Sequence, residues 1–96
     1  MAQFIALVAR DYEGFSEDDF APLLEPEAER ARELYAEGTV RAIWGRLDVK
    51  GAVLQLEAAS LEEAQAALDT LPIVRAGMMK ITLVPLTGYR GFGPRG

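Results

Sequence analysis

The residues best suited to chemistry lie in EGTVRAIWGR, positions 37–46, where Arg41, Trp44 and Arg46 interrupt an apolar, strand-like run. A guanidinium offers a planar fork of donors that fits a carboxylate or an enolate oxygen. The sole tryptophan of the chain, Trp44, offers a flat face to a ring-shaped ligand, or the hydrophobic centre of a protein contact. Two carboxylates are candidates for moving a proton beside these arginines: Glu57 in GAVLQLEA and Asp11 after FIALVAR. A carboxyl does this work once desolvation lifts its proton affinity towards neutral pH. Arg46 or Arg41 is therefore expected to steady an oxyanion and Glu57 or Asp11 to carry the proton, with plain ion pairing as the competing role for each. Trp44, Gln55, Lys80, Tyr35 and Tyr89 are the candidate ligand contacts. Lys80 is also a possible acid partner for Glu57.

Composition narrows the chemistry. The chain has no cysteine and no histidine, which removes thiol nucleophiles, disulfides and the commonest general base and metal ligand. No spaced acidic loop suggests a metal, and neither metal nor cofactor is expected. A net charge of −5 argues against nucleic acid, whose binding rests on a basic surface. The longest apolar run, residues 4–9, is too short to span a membrane, and the N-terminus lacks the basic segment of a signal peptide. A cytoplasmic protein is expected.

These side chains must be positioned by a small number of elements. FIALVAR reads as a buried strand, and the acidic segment 11–19 as a loop whose SEDD is a solvated charge run. A helix is expected from Pro26, with Ala28, Ala31, Leu34 and Tyr35 on its buried face and Gly38 as its stop. VRAIWGRL and GAVLQLEA form a hairpin around DVKG. Ser60 and Glu63 make a capping box for a helix that buries Leu61, Ala64, Leu68 and Leu71, and Pro72 ends it. MMKITLVPL is the last strand. The result is an α+β, ferredoxin-like β-α-β-β-α-β chain: a four-stranded antiparallel sheet with two helices on one face. Residues 1–87 form the domain and 88–96 a glycine-rich tail, in which Tyr89 and Phe92 are expected either to dock on a neighbouring subunit or to fray.

Alternation along the strands sets the faces. With Gly45 opposite Leu54 and Leu47 opposite Ala52, the row containing Ile43 and Leu47 lies under the helices. Arg41 begins that row, opposite in parity to Arg46. Trp44, Arg46, Gln55, Glu57, Lys80 and Thr82 fall on the bare face. That face is too apolar for water and too charged for a core, so a second copy of the chain is expected to cover it.

Several of these residues carry a resemblance to the muconolactone isomerase-like family, within the dimeric α/β-barrel group. Glu37-Gly38, Arg41 and Trp44 are spaced as at that family's helix-to-strand junction, and Leu71-Pro72 before the last strand is similar. LVPLTGYRGFG resembles the endings of YciI-like domains. The resemblance implies a homodimer whose sheets pair into a dimeric α/β barrel, and a small aromatic or lactone-type substrate rearranged without metal or organic cofactor. The missing histidine departs from both groups, so a histidine proton shuttle and the YciI-like His/Asp pairing are excluded.

The function expected is a cofactor-independent isomerase that shifts a proton next to a carbonyl in a small cyclic or unsaturated acid. Two alternatives share the fold: a non-catalytic small-ligand-binding or assembly domain, and a cofactor-free oxygenase of aromatic polyketide-like substrates. The discriminating feature is structural. An enclosed pocket that holds both an arginine and a carboxylate speaks for an enzyme.

Overall fold

Four strands and two principal helices build the computed structural model, which describes residues 1–92. The elements run β1 (Ala2–Arg10), α1 (Glu17–Phe20), α2 (Leu24–Glu37), β2 (Val40–Gly45), β3 (Gly51–Ala58), α3 (Leu61–Leu68), α4 (Pro72–Arg75) and β4 (Met79–Leu86). The sheet order is β2-β3-β1-β4, with every neighbouring pair antiparallel. No helix among the described residues is long and apolar enough to cross a membrane.

The inward rows of the sheet are Phe4, Ala6 and Val8 on β1 and Leu54, Leu56 and Ala58 on β3. They are buried in one cluster with Leu34 of α2 and Ala64 and Leu68 of α3. Both principal helices therefore cover the same face. Met79, Ile81 and Leu83 of β4 pack against this cluster, as the alternation of that strand implies. A satellite cluster of Phe20, Ile73 and Met78 ties α1 and α4 to the start of β4.

Helix boundaries differ from the sequence reading at the prolines. α2 begins at Leu24, directly after a 3-10 turn over Ala21–Leu23. Pro26 is accommodated in its first turn because no N–H there has an intrahelical acceptor. Gly38 ends α2 with φ 88°, its N–H donating to Leu34 and Tyr35, a left-handed cap that glycine adopts without strain. α3 stops at Leu68, so Pro72 does not end it. Pro72 instead opens α4, where its missing N–H costs nothing. SEDD is exposed to solvent as expected, but it is not a loop: it caps and opens α1, with the Ser16 N–H donating to Asp19 Oδ2 at 2.8 Å. At the second cap, Glu63 N–H donates to Ser60 Oγ at 3.1 Å, and the returning Glu63 carboxylate accepts from Ala59 N–H.

The hairpin also departs from expectation. Gly45 pairs with Ala52 and Ile43 with Leu54, a slip of the expected register that preserves facing. Residues 46–50 form the connection, in which Arg46 makes a two-point ion pair with Asp48 (3.0 and 2.6 Å). That connection leaves Leu47 fully exposed instead of under the helices. A bulge between Val40 and Ala42 makes Arg41 an extra residue in the ladder.

β3 begins where two backbones nearly touch. A Cβ added to Gly51 would lie 2.0 Å from the Val8 carbonyl oxygen, so the β1–β3 pairing at this end requires glycine. Gly51→Ala is expected to cost at least about 2 kcal/mol of unfolding free energy. Urea denaturation followed by circular dichroism measures it, and an unchanged midpoint would show that the strands part freely.

Candidate functional site

Of the four side chains expected to share the chemistry, Arg41 and Glu57 are brought together, while Arg46 and Asp11 stand apart from them. Asp11 turns back on its own loop and accepts from Glu13 and Gly14 N–H at 3.1 and 3.3 Å. Arg46 is engaged by Asp48, whose carboxyl is held below its ordinary range chiefly by that hydrogen bond. The bulge carries Arg41 out of the inward row, and its Nε lies 3.7 Å from Glu57 Oε2 on the helix-free face. Lys80 lies across from Ala9 and pairs with Glu13 at 3.3 Å, whereas Glu57 lies across from Gln3. The expected Glu57–Lys80 pair does not form, because β1 and several residues of register separate them.

The helix-free face is laid out in rows across the strands. Trp44, Val53, Leu7 and Thr82 make one, and Ala42, Gln55, Ile5 and Val84 the next. Gln55 Nε2 donates to Gln3 Oε1 at 3.2 Å. Trp44, Leu7, Val84 and Leu86 are exposed in the single chain, Trp44 by 54%.

On the opposite side, between α2 and the sheet, lies a cavity of about 210 Å³. Its walls are Leu24, Ala28 and Ala31 of α2, Ile43, Gly51, Ala52 and Leu54 of the hairpin, Leu71 and Ile73 around α4, and Met79. Two charged groups complete it, Arg10 and Glu27. Ala28, Ala31 and Ile43 also border a broader apolar groove between α2 and β2 that includes Tyr35. Tyr35 is 62% exposed, so its hydroxyl does not enter a closed cavity beneath the sheet; the ring sits at the outer rim. A furrow between α3 and β4 gathers Glu62, Gln65 and Asp69, but it is more open and has no cation to hold an anion.

Glu27 enters from the buried side of α2, and its Oε1 accepts the Ile73 N–H at 2.9 Å. Burial pushes its carboxyl above the ordinary glutamate range, and the Ile73 hydrogen bond offsets this only in part. Arg10 is set from three sides. Its Nη1 donates to Tyr12 Oη at 3.0 Å and to Glu17 Oε2 at 3.3 Å, and its guanidinium lies 5.2 Å from the Phe20 ring centre. Tyr12 in turn donates to Glu17 and meets the Phe20 ring edge-on at 5.3 Å. Phe20 is fully buried and forms the inner wall of this cradle. A carboxyl of raised proton affinity that shares a half-open apolar recess with a guanidinium can relay a proton while a developing oxyanion is stabilised.

Both residues carried a signal in the sequence. Arg10 extends the inward row of Phe4, Ala6 and Val8 by one more step of two. Glu27 stands between Leu24 and Ala31 on the apolar stripe of α2. A charge at a position that periodicity assigns to the core is costly unless it serves a site.

Comparison with known proteins agrees with this architecture. Among solved structures, muconolactone isomerase superposes with a TM-score of 0.77 at 20% identity, over 98% of this chain and 97% of the other. The 5-chloro-2-hydroxyhydroquinone dehydrochlorinase of Burkholderia phenoliruptrix, in complex with 2,5-dihydroxybenzoquinone, gives 0.73 at 15% identity, over 93% and 97%. No curated protein sequence matches the chain. The family model of muconolactone delta-isomerase matches residues 7–91. That match takes in β2, β3, β4, both principal helices and the C-terminal end of β1, with Arg10 and Glu27 inside it, and the chain belongs to the muconolactone delta-isomerase family.

Proposed function

We propose that this protein is a cofactor-independent isomerase that moves a proton next to a carbonyl in a small cyclic or unsaturated acid. The observation that carries this reading is the cavity in which Arg10 and Glu27 are the charged lining. At about 210 Å³ it lies below the roughly 300–1,000 Å³ of drug-sized ligand sites, which suits a single-ring acid. Glu27 takes the proton from carbon and returns it at the conjugated position. Arg10 holds the oxygen on which charge develops between the two steps. With one carboxyl at hand, both transfers occur on the same face of the substrate. Arg46, Arg41, Glu57 and Asp11 lie outside the lining, and their roles in this reading are structural.

The fold shared with a dehydrochlorinase that holds a dihydroxybenzoquinone favours a second substrate type for the same proton step. Removal of a proton by Glu27 from a chlorinated hydroxyquinol, with loss of chloride, uses the same two groups. The screen therefore includes unsaturated lactone acids and chlorinated quinols.

The apolar rows of the helix-free face support a homodimer, with Val53 and Leu7 near its centre and Trp44 and Arg41–Glu57 towards its β2 edge. The C-terminal arm supports a role between subunits. Tyr89 and Phe92 pack on each other at 5.2 Å yet are 72% and 89% exposed. A radius of gyration of 14.6 Å exceeds the roughly 12.5 Å of a compact chain of this length. In this reading Tyr89 docks on the neighbouring subunit near its bound ligand. Residues 93–96 of the expected tail lie outside the described residues.

Glu27→Gln is expected to lower kcat by about 10²–10⁴-fold and Arg10→Met by about 10²–10³-fold, measured by absorbance on a substrate found in the screen. Turnover unchanged in either variant would overturn the assignment. Stability gives a second check. A carboxyl raised by burial binds its proton more tightly in the folded chain than in the unfolded one, so wild-type stability falls as pH rises past about 4.3 and levels off once the native carboxyl has ionised. Urea unfolding between pH 4 and 8 should show Glu27→Gln gaining on wild type across that window, and parallel curves would refute it. Light scattering should find wild type at twice the mass of one chain and Trp44→Glu at the mass of a single chain. A monomeric wild type would remove the paired-sheet reading.

A further inference from the structure

Charge balance in the cavity has a consequence for what enters it. Arg10 does not face the cavity with an uncompensated charge, because Glu17 lies 3.3 Å from its Nη1. Glu17 is itself outside the lining, with its side chain 63% exposed. Once Glu17 is set against Arg10, an ionised Glu27 leaves the enclosure with an excess negative charge.

The groups around Glu27 do not relieve it. On its own helix, Arg30 is turned to Glu33, Glu37 and Thr70. From α4 comes the neutral Ile73 N–H, while Arg75 at the end of that helix is exposed. β3 and β4 contribute Ala52, Leu54 and Met79 to the lining, all apolar. Arg10 is the cation nearest the enclosed space, and it is shared with Glu17. An anion seated on Arg10 would share this mostly apolar recess with the Glu27 carboxylate. Like charges so placed favour protonation of one partner.

Resting on the site assignment above, we propose that binding of an organic monoanion to this cavity is coupled to uptake of one proton from solvent by Glu27, and that Glu17 enforces the coupling by neutralising Arg10. Arg10 takes the anion, Glu27 takes the proton, and the net charge of the enclosure is unchanged by the pair. The coupling suits the proposed reaction. The bound anion strengthens Glu27 as a base, and turnover proceeds from the fraction of the complex in which Glu27 remains ionised. The apparent pKa governing kcat therefore lies above the one governing kcat/KM.

Benzoate serves as the probe, with binding measured by isothermal titration calorimetry from pH 5 to 9 in phosphate and in Tris. Wild type should bind it with net proton uptake, and its Kd should rise by up to about tenfold per pH unit above the ionisation of Glu27. Glu27→Gln should bind with no uptake and a flat pH profile. Glu17→Gln should bind several-fold tighter at pH 8, and Arg10→Met should lose binding. Benzoate bound to wild type without proton uptake, a slope retained in Glu27→Gln, or no saturable binding to either protein would overturn the coupling. Loss of turnover in Glu27→Gln without proton uptake in wild type would sink the coupling and keep the catalytic reading. Intact uptake with no turnover on any screened substrate would do the reverse.

Discussion

The pairing of β1 on both of its edges, with β3 and with β4, sets the terms for the rest of the molecule. A strand held on both sides cannot rotate its side chains, so the even-numbered row of Phe4, Ala6 and Val8 must go under the helices. Arg10 is the next member of that row and is carried inward with it. The price of that placement is met by Tyr12, Glu17 and Phe20, which hold the guanidinium on its outer side and leave the cavity between α2 and the sheet to its other side. α1 exists, in energetic terms, to keep that arrangement: its one buried residue, Phe20, sits in the satellite core with Ile73 and Met78.

The same satellite core links the two halves of the site. Ile73 packs beside Phe20 and also gives its N–H to Glu27. The position of the acid and the position of the cation therefore share one support, although they come from α2 and β1. An enclosure with apolar walls and two placed charges is less stable than one filled by side chains. The chain concentrates that cost where the helices leave the sheet uncovered, beside the edge strand β2, and keeps the main cluster free of buried polar groups.

The element order and the facing of β1, β3 and β4 were legible because period two and period 3.6 leave clear stripes in FIALVAR, GAVLQLEA and LEEAQAAL. The hairpin register was not, since Arg46–Asp48 lengthens the connection through a side-chain pair that no alternation reveals. Nor was the bulge, which puts Arg41 with Glu57 instead of under α2. The site itself is hard to see in the sequence for a physical reason. Arg41, Trp44 and Arg46 stand out by residue type, whereas Arg10 and Glu27 stand out only by occupying core positions of otherwise apolar stripes. The spacing of Tyr35 and Ile43 points to the interior, but Tyr35 stays at the outer rim and Ile43 is about half exposed beside the cavity.

The extra residue in β2 makes chain length matter unequally along that strand. Val40 faces Leu56 and Ala42 faces Gln55, so Arg41 has no residue opposite it on β3. A shorter homologue lacking that codon would restore an unbroken ladder and keep Ile43 and Trp44 on their present sides. One codon lost between Ile43 and Gly45 would instead exchange the sides of the residues around it. Alignments of this segment should therefore place gaps at the bulge and nowhere else in the strand.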